Sequence, residues 1–276
     1  MLQVSQLFIY PIKSLHGISV QSAILSDRGF EHDRRFLLID ENNRFFTQRE
    51  FPQMALLQTS IEDDRLYVFE KNSTDKKLVL PLSPASADET FIVRIWDDDC
   101  DAQLVSKEAN EWFSKKLNCN CRLVYMPHST RRKVDIQYAK HDEITNFSDG
   151  YPLLIIGQSS LDDLNSRLAE PLPINRFRPN LVFAGGRPFQ EDDMEHFKIN
   201  ELDFYGVKPS ARCVVTTINQ ETGVAGKEPL KTLSSYRSKN NKVYFGQNVL
   251  MRGEGKIKVD DKIEIVRQAK KSFLSP

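Results

Sequence analysis

The chain has 276 residues, of which 40% are hydrophobic and 28% charged, as in soluble globular proteins with one large domain or two smaller ones. Lys plus Arg and Asp plus Glu each number 38, which argues against a surface built for a nucleic-acid polymer or an anionic membrane. No basic stretch followed by a long apolar run opens the chain, and apolar runs such as residues 153–156 are far shorter than the roughly 20 residues of a membrane helix. We therefore expect a cytoplasmic protein, in which a local basic cluster can still bind an anion.

Short strand-like segments dominate the first hundred residues. Apolar segments separated by turn residues cover residues 4–12, 18–25, 35–40, 44–48, 54–61, 65–70, 91–96 and 102–106. Asn and Asp tolerate the backbone angles of tight turns, so residues 40–44 and 62–65 are predicted to be hairpin turns. Strands this short at this spacing are typical of a β-barrel or a sandwich.

Three helices are predicted among these strands. The first follows the candidate N-cap Ser106 and places four side chains on one face: Ala109, Trp112, Phe113 and Lys116. The second begins at Ser159, with Asp162 as a variant of the capping box, and its buried stripe is Leu161, Leu164 and Leu168. A third starts near Pro229, and strand-like segments return at residues 242–245, 248–251 and 262–267. We predict a mainly β fold with a few helices (α+β), with a weak boundary in the polar residues 127–145.

Four cysteines raise the question of a structural metal. Cys100, Cys119 and Cys121, together with His128, are possible zinc ligands, although their spacing differs from that of paired zinc knuckles. A disulfide framework is disfavoured in a chain of this size without a signal peptide, so free, buried thiols are the favoured interpretation. Cys213 differs because an arginine precedes it, and nearby positive charge favours a thiolate. It is a candidate core residue, nucleophile or metal ligand.

Motifs of several common enzyme classes are missing. The chain contains no G-x-S-x-G elbow, no Walker loop and no G-x-G-x-x-G, and residues 184–189 lack the third glycine of the last motif. The five histidines are scattered along the chain: His16, His32, His128, His141 and His196. A hydrolytic triad and a dinucleotide fold are therefore not indicated.

Basic residues instead accompany several predicted strand ends. Lys13 and Ser14 end the first strand, whereas three further groups lie near the starts of others: Arg34 with Arg35, Arg176 with Arg178, and Arg212 beside Cys213. Arginine binds oxyanions through two parallel hydrogen bonds, so convergence of these groups at one rim of a barrel predicts a phosphate or carboxylate site.

Seven segments along the chain carry a family resemblance. They are YPIKS, DRRF, SDGYPLLIIGQSSLDDLNSRL, NRFRPNLVF, ARCVVTTINQETG, KEPLKTLSSYR and FGQN, in this order. The chain resembles MOSC-domain proteins that carry an additional N-terminal β-barrel domain, such as the mitochondrial amidoxime-reducing components and the bacterial proteins of hydroxylaminopurine resistance. The resemblance implies an N-terminal barrel domain over residues 1–125 and a MOSC domain over residues 126–276, with a cofactor site that the N-terminal segment shares.

The resemblance also implies residue roles. The family binds the molybdenum cofactor, a pterin dithiolene with a phosphate, and Cys213 matches the cysteine that supplies a thiolate to the metal, which is a soft ligand for a soft site. Asp149 matches an acidic residue near the metal and is a candidate proton donor or orienting group. The positions that match pterin and phosphate contacts are Lys13, Ser14, Arg35, Arg178 and Arg212, together with Gly150, Tyr151, Ala211 and Asn248. The last four depart from the hydroxyl-bearing residues of animal members.

The implied activity is reduction of N-hydroxylated small molecules, namely hydroxylamines, amidoximes or hydroxylaminopurines, to amines. Because the chain has no C-x₄-C-x₂-C run for a [2Fe–2S] cluster, we expect a separate electron donor: a ferredoxin, a flavodoxin or a reductase. Two alternatives stay open. One is a non-catalytic carrier or sulfurase-like binding module for the cofactor, and the other is a zinc-stabilised interaction barrel.

Overall fold

A computed structural model of the chain describes residues 1–71, 73, 76–85, 89–139 and 141–269. Within these residues the fold is mainly β, with three α-helices, and the predicted fold class is confirmed. No helix in this described part of the chain combines the length and the apolar character needed to cross a membrane.

The described residues of the first half form eleven strands and one helix. The elements are β1 (Leu2–Ile9), β2 (Ile18–Val20), β3 (Ser22–Ser26), β4 (Gly29–Phe30), β5 (Phe36–Ile39), β6 (Leu57–Glu62), β7 (Arg65–Glu70), β8 (Leu78–Pro81), β9 (Phe91–Ile95), β10 (Asp98–Leu104), α1 (Lys107–Leu117) and β11 (Arg122–Tyr125). A 3₁₀ turn at Pro52–Leu56 precedes β6.

In the second half, ten strands and two helices lie within the described residues. The elements are β12 (Arg132–Lys133), β13 (Ile144–Thr145), β14 (Leu153–Gly157), α2 (Gln158–Asn165), β15 (Leu181–Ala184), β16 (Met194–Ile199), β17 (Leu202–Arg212), α3 (Leu230–Ser234), β18 (Ser238–Lys239), β19 (Lys242–Arg252), β20 (Gly255–Lys258) and β21 (Lys262–Gln268). Three further 3₁₀ turns lie at Ile174–Arg176, Gln190–Asp193 and Val214–Thr217.

Seven strands close into a barrel. Their order is β14–β15–β1–β21–β16–β17–β19, and pairing of β19 with β14 completes the circle. The core inside is built from alternating apolar residues of these strands, including Leu7, Phe183, Phe197 and Phe204. The first strand of the chain therefore belongs to the barrel that the second half builds.

Strands β5 to β11 of the first half form a separate module, whereas β2 pairs with β1 and the antiparallel pair β3–β4 joins β20. One sheet has the order β5–β11–β10–β9 and another the order β6–β7–β8. Helix α1 packs its buried Ala109, Phe113 and Leu117 into the cluster that these sheets share. The Ser106 side chain accepts a hydrogen bond from the backbone N–H of Ala109, so the predicted N-cap is confirmed.

Three local predictions are wrong. Residues 44–48 form no strand and make only isolated bridges, of which one joins Ile39 to Phe45. Residues 54–61 form a strand only from Leu57 onward, because the 3₁₀ turn occupies the preceding residues. Helix α2 is capped by Gly157 without a side-chain hydrogen bond, because Ser159 already lies inside the helix and its hydroxyl donates to the Gly186 carbonyl.

Candidate functional site

A cavity of about 310 Å³ opens where loops of the first half meet the rim of the barrel. This volume lies at the lower end of the range usual for small-molecule sites. The first half contributes Lys13, Ser14, Arg34, Thr47 and Arg49, and the second half contributes the segments around Asp149, Arg178 and Arg212. Six cationic side chains line its described walls against one carboxylate, so the cavity favours an anionic ligand.

A stack of three side chains forms one wall. The guanidinium carbons of Arg34 and Arg178 each lie 4.3 Å from the centroid of the Tyr10 ring. Tyr10 is buried and its hydroxyl donates to the Pro179 carbonyl at 3.0 Å. At Gly17 a Cβ atom would lie 2.3 Å from this ring, so glycine is required there. The stack fixes two arginines that arrive from opposite halves of the chain.

The two arginines of the stack differ in their partners. Arg34 Nη1 donates to Asp33 at 2.6 Å and to the Asn180 side-chain oxygen at 2.9 Å. Arg178 donates no side-chain hydrogen bond to any described residue, and burial lowers the pKa of its guanidinium to about 10. Arg178 is half-buried in the cavity wall, and a guanidinium without an acceptor among the described residues is suited to a ligand that brings negative charge.

Asp149 is held by two donors from the first half of the chain. Its Oδ1 accepts from Lys13 Nζ at 2.5 Å and from Trp96 Nε1 at 3.2 Å. The Asp149 side chain is 77% exposed to the cavity, whereas Lys13 is buried. The protein packed around the carboxyl opposes its ionisation, but Lys13 and Trp96 outweigh this and hold the pKa of Asp149 well below its usual range. Asp149 is therefore an ionised acceptor near neutral pH.

The electrostatics of Lys13 complement those of Asp149. Burial lowers the pKa of the Lys13 ammonium, and the carboxylate of Asp149 offsets part of this effect. The ammonium lies 5.4 Å from the centroid of the Phe45 ring, which is a further favourable contact for a cation. A lysine with a lowered pKa releases a proton more readily than an exposed one.

Cys213 lies at the end of β17, immediately before the 3₁₀ turn Val214–Thr217. Its side chain is exposed in the cavity wall, and its carbonyl accepts from both the backbone N–H and the hydroxyl of Thr216. Arg176 supports this turn from behind, because its Nε donates to the Thr216 carbonyl at 2.8 Å. The exposed thiol is thus presented by a fixed backbone.

Arg212 lines the cavity next to this thiol. Its two terminal nitrogens donate to the Ser210 hydroxyl at 2.9 Å and to the Phe177 carbonyl at 2.6 Å. Its Nε is buried and has no partner among the described residues. Burial lowers the pKa of Arg212, and the neighbouring Cys213 opposes that change. An anion at this point would satisfy the remaining donor.

The structure places Arg35 outside the cavity, which corrects its predicted position. Its Nη2 donates to the Met126 carbonyl, and its guanidinium carbon lies 4.8 Å from the Tyr125 ring centroid. Adjacent residues of a chain point in different directions, and the left-handed backbone of Arg34 (φ 49°) turns that residue, rather than Arg35, into the cavity.

The positions that depart from the animal pattern all line the cavity. Gly150 has open space around its Cα, and Tyr151 has a buried hydroxyl without a partner among the described residues. Asn248 donates from its side-chain amide to the Lys208 carbonyl at 3.0 Å, and Ala211 lies between Ser210 and Arg212. The sequence interpretation missed three residues of this region: Arg49, Trp96 and Lys208. No motif in the sequence indicated these three residues, because turns and a β-bulge bring them to the cavity.

The zinc alternative has no geometric support. Cys100 and Cys121 lie in different hydrophobic clusters, and burial raises the pKa of each thiol to about 11. In the part of the chain that the structure describes, no three His, Cys, Asp or Glu side chains are grouped to hold a metal ion.

Two family models match the chain. The MOSC N-terminal beta barrel domain matches residues 1–120, and the MOSC domain matches residues 142–264. Two partial similarities to solved structures, one of them YiiM from Geobacillus stearothermophilus, have TM-scores of only 0.30 and 0.32.

Curated relatives extend over nearly the whole chain. Mitochondrial amidoxime-reducing component 1 of Mus musculus is 32% identical over 283 residues, which cover 96% of this chain and 82% of that protein. Mitochondrial amidoxime reducing component 2 of Bos taurus is 34% identical over 244 residues, covering 85% of this chain and 72% of that protein. Molybdenum cofactor sulfurase of Oryza sativa subsp. japonica is 32% identical and covers 89% of this chain, which spans only 32% of that longer protein.

Proposed function

The chain belongs to the family of MOSC-domain proteins with an N-terminal MOSC β-barrel domain, and from this premise we propose that it is a molybdenum-cofactor enzyme that reduces N-hydroxylated compounds to amines. The resemblance identified from the sequence is thereby confirmed as membership. We keep the division into residues 1–125 and 126–276 as part of the proposal, with a site to which both segments contribute.

The residues present fit a pterin that carries a phosphate and a metal. The Arg178 guanidinium, which donates to no described residue, and the buried Nε of Arg212, which has no partner among these residues, are donors for the phosphate and the pterin. Arg34 stacks beside Arg178 on Tyr10. The exposed thiol of Cys213 in the same cavity is a suitable soft ligand for molybdenum. When bound, the cofactor supplies two-electron oxygen-atom chemistry, which protein side chains alone do not provide.

The reaction that we propose breaks an N–O bond. Each turnover takes up two electrons and two protons, and it converts R–NH–OH into R–NH₂ and water. Lys13 is a candidate donor for the proton that the departing hydroxyl takes up, because its ammonium is buried in the cavity and its pKa is lowered. Asp149, whose pKa is depressed, accepts hydrogen bonds from Lys13 and Trp96 and is the orienting group.

Electrons come from a separate protein in this proposal. The sequence carries no [2Fe–2S] motif and no dinucleotide fingerprint. We expect the purified protein to reduce benzamidoxime or hydroxylaminopurine with reduced viologen but not with NADH or NADPH alone. A ferredoxin or flavodoxin with its reductase restores turnover driven by the pyridine nucleotides, through a weak contact that salt disrupts.

The observation that carries the proposal is the combination, in one cavity, of an exposed cysteine thiol with arginine donors that lack partners. The test is metal analysis of the purified protein, pterin fluorescence after oxidation, and viologen-driven reduction of benzamidoxime. Molybdenum, pterin and turnover together support the proposal. Zinc without pterin would contradict it.

A second candidate is cofactor handling without turnover. The similarity to the rice molybdenum cofactor sulfurase favours it, because this chain aligns with about a third of that protein. Molybdenum and pterin in equal amounts, with no reduction of benzamidoxime, hydroxylaminopurine or hydroxylamine by viologen, would select this candidate.

A further inference from the structure

Lys208 is a cation in the cavity to which the proposed function gives no role. Its Nζ lies 4.7 Å from the centroid of the Tyr138 ring and 5.9 Å from that of Tyr151. The residue is half-buried and lines the cavity, yet no described carboxylate or hydrogen-bond acceptor contacts its ammonium. Two tyrosine rings stabilise a cation only partly, so the ammonium keeps the capacity to bind an anion.

A bulge in the barrel directs Lys208 into the cavity. The register of β17 against β19 pairs Gly206 with Val249 but Lys208 with Asn248, so one extra residue is inserted between these pairs. This insertion moves Lys208 to the strand face that Asn248 occupies, opposite to the face of Val249 in the core. Gly206 is required beside the bulge, since a Cβ there would lie 2.2 Å from the Met194 carbonyl oxygen.

Lys208 stands apart from the arginines proposed for the cofactor. Arg34 and Arg178 stack on Tyr10, and Arg212 lies over Phe177, whereas Lys208 contacts neither of these rings. Gly150 lines the same cavity, and a Cβ there would meet no atom within 4 Å. Tyr151 and Asn248, which match pterin-contact positions, lie close to Lys208, so the separation from the arginines favours a group of the second molecule in the cavity, the substrate, and the cofactor content of a Lys208 variant tests this choice.

We propose that Lys208, flanked by Tyr138 and Tyr151, is a subsite for a carboxylate on an aromatic N-hydroxylated substrate. The proposal rests on the proposed reductase function. A single ammonium is a compact point charge, and one such charge can pair with the single negative charge of a carboxylate. The tyrosine rings add apolar surface against which an aromatic substrate ring can pack.

The test compares two substrates that differ in one group: benzamidoxime and 4-carboxybenzamidoxime. Lys208→Met retains most of the side-chain stem, Lys208→Arg retains the charge, and Lys256→Met on the exposed strand β20 is the matched control. In Lys208→Met, we expect kcat/KM for the carboxylated substrate, divided by that for benzamidoxime, to fall about tenfold through KM, as for loss of one charge-assisted hydrogen bond. Lys208→Arg and Lys256→Met keep the wild-type ratio.

Binding of the amidine products provides a readout without turnover. Calorimetry on the molybdenum-loaded protein should show 4-carboxybenzamidine binding more tightly than benzamidine, with the difference lost in Lys208→Met. An unchanged ratio in both kinetics and binding overturns the subsite. Loss of molybdenum and pterin from Lys208→Met also overturns it, since Lys208 would then hold the cofactor. If wild-type protein reduces neither substrate but binds the two products differently, the reductase proposal fails and the subsite stands.

Discussion

Two regions of the molecule hold charged side chains away from bulk water, and the two regions differ in how these charges are paired. The cavity contains half-buried cations, Arg178 and Lys208, whose charged groups have no acceptor among the described residues. The 3₁₀ turn Gln190–Asp193 contains three consecutive buried acids, of which two are paired with arginines: Asp192 with Arg237 at 2.6 Å, and Asp193 with Arg187. In the turn, loss of one partner would leave a buried charge uncompensated, whereas in the cavity the cations are available to an anionic ligand.

The sharpest test of this contrast is Cys213→Ala, which should abolish turnover. The Cys213 side chain is exposed, so its loss changes the free energy of unfolding by no more than about 0.5 kcal/mol, as for most surface substitutions. Viologen-driven turnover and urea unfolding check the two statements. Normal turnover in folded Cys213→Ala protein would show that the thiol is not a ligand.

Two arginine substitutions compare the regions directly. Arg237→Met leaves Asp192 buried without its cation and should lower the free energy of unfolding by about 3–5 kcal/mol. Arg178→Met removes a guanidinium that has no acceptor among the described residues. In cofactor-free protein it should change the free energy of unfolding by less than about 1 kcal/mol. Urea unfolding of protein from cells that cannot make the cofactor measures both.

Cofactor content should rank the variants differently from stability, because the substitution that hardly changes the free energy of unfolding should cause the loss of cofactor. Arg178→Met is expected to purify with little molybdenum and pterin, whereas the control Lys76→Ala, an exposed substitution, loads as the wild type does. Equal destabilisation by the two arginine substitutions, or equal loading of Arg178→Met and Lys76→Ala, would remove the distinction between the two regions.

Glu191 sharpens the comparison because it is the acid of the turn without a cation. Burial, reinforced by Asp192, raises the pKa of Glu191 from 4.5 to about 7, and the Ser160 hydroxyl donates to it at 2.8 Å. Between these two values the folded state keeps a proton that the unfolded state releases. Stability should therefore fall as the pH rises through this range, by up to about 3 kcal/mol.

Urea unfolding at about pH 5 and about pH 8 measures this slope. Glu191→Gln cannot ionise and retains a hydrogen-bond acceptor for Ser160. Its free energy of unfolding should therefore not show the decrease that ionisation of Glu191 causes in the wild type between these two pH values. An identical slope in the two proteins would mean that Glu191 finds a partner when it ionises.

The smallest effect on cofactor content is expected at Arg35. This residue matches a family position in the sequence interpretation, but its guanidinium packs on Tyr125 and donates to Met126, outside the cavity. Arg35→Met should therefore purify with wild-type molybdenum and pterin, as measured by metal analysis and pterin fluorescence. Loss of both from Arg35→Met, with Arg34→Met fully loaded, would reverse the assignment.

Much of this arrangement could be predicted from local sequence, and the exceptions have physical reasons. The Ser106 cap and the buried face of α1 depend on interactions within a few residues, so the sequence predicts them. Residues 44–48 look like a strand because they contain two adjacent phenylalanines between polar residues, but a strand also needs a continuous partner, which is a non-local property.

The site itself was predictable in kind and less so in detail. Cys213, Lys13 and Asp149, which were identified from sequence motifs, line one cavity. Their roles stay predictions. Arg34 rather than Arg35 lines the cavity because of a left-handed backbone angle at Arg34. The position of Lys208 in the cavity depends on a bulge in the pairing of β17 with β19. Trp96 reaches Asp149 from a tight turn at φ 56°, which composition alone does not reveal.

The pairing of β1 with β21 has a consequence for the order in which the protein is made and folds. Leu2 pairs with Ile263, so the barrel cannot close until nearly the whole chain has left the ribosome. The strands of the module β5 to β11 pair with strands that are nearer in sequence, so this module can form earlier. One edge of β1 remains unpaired until β21 has been synthesised. Until then the edge of β1 that pairs with β21 is open to pairing with other strands, which is a route to misfolding.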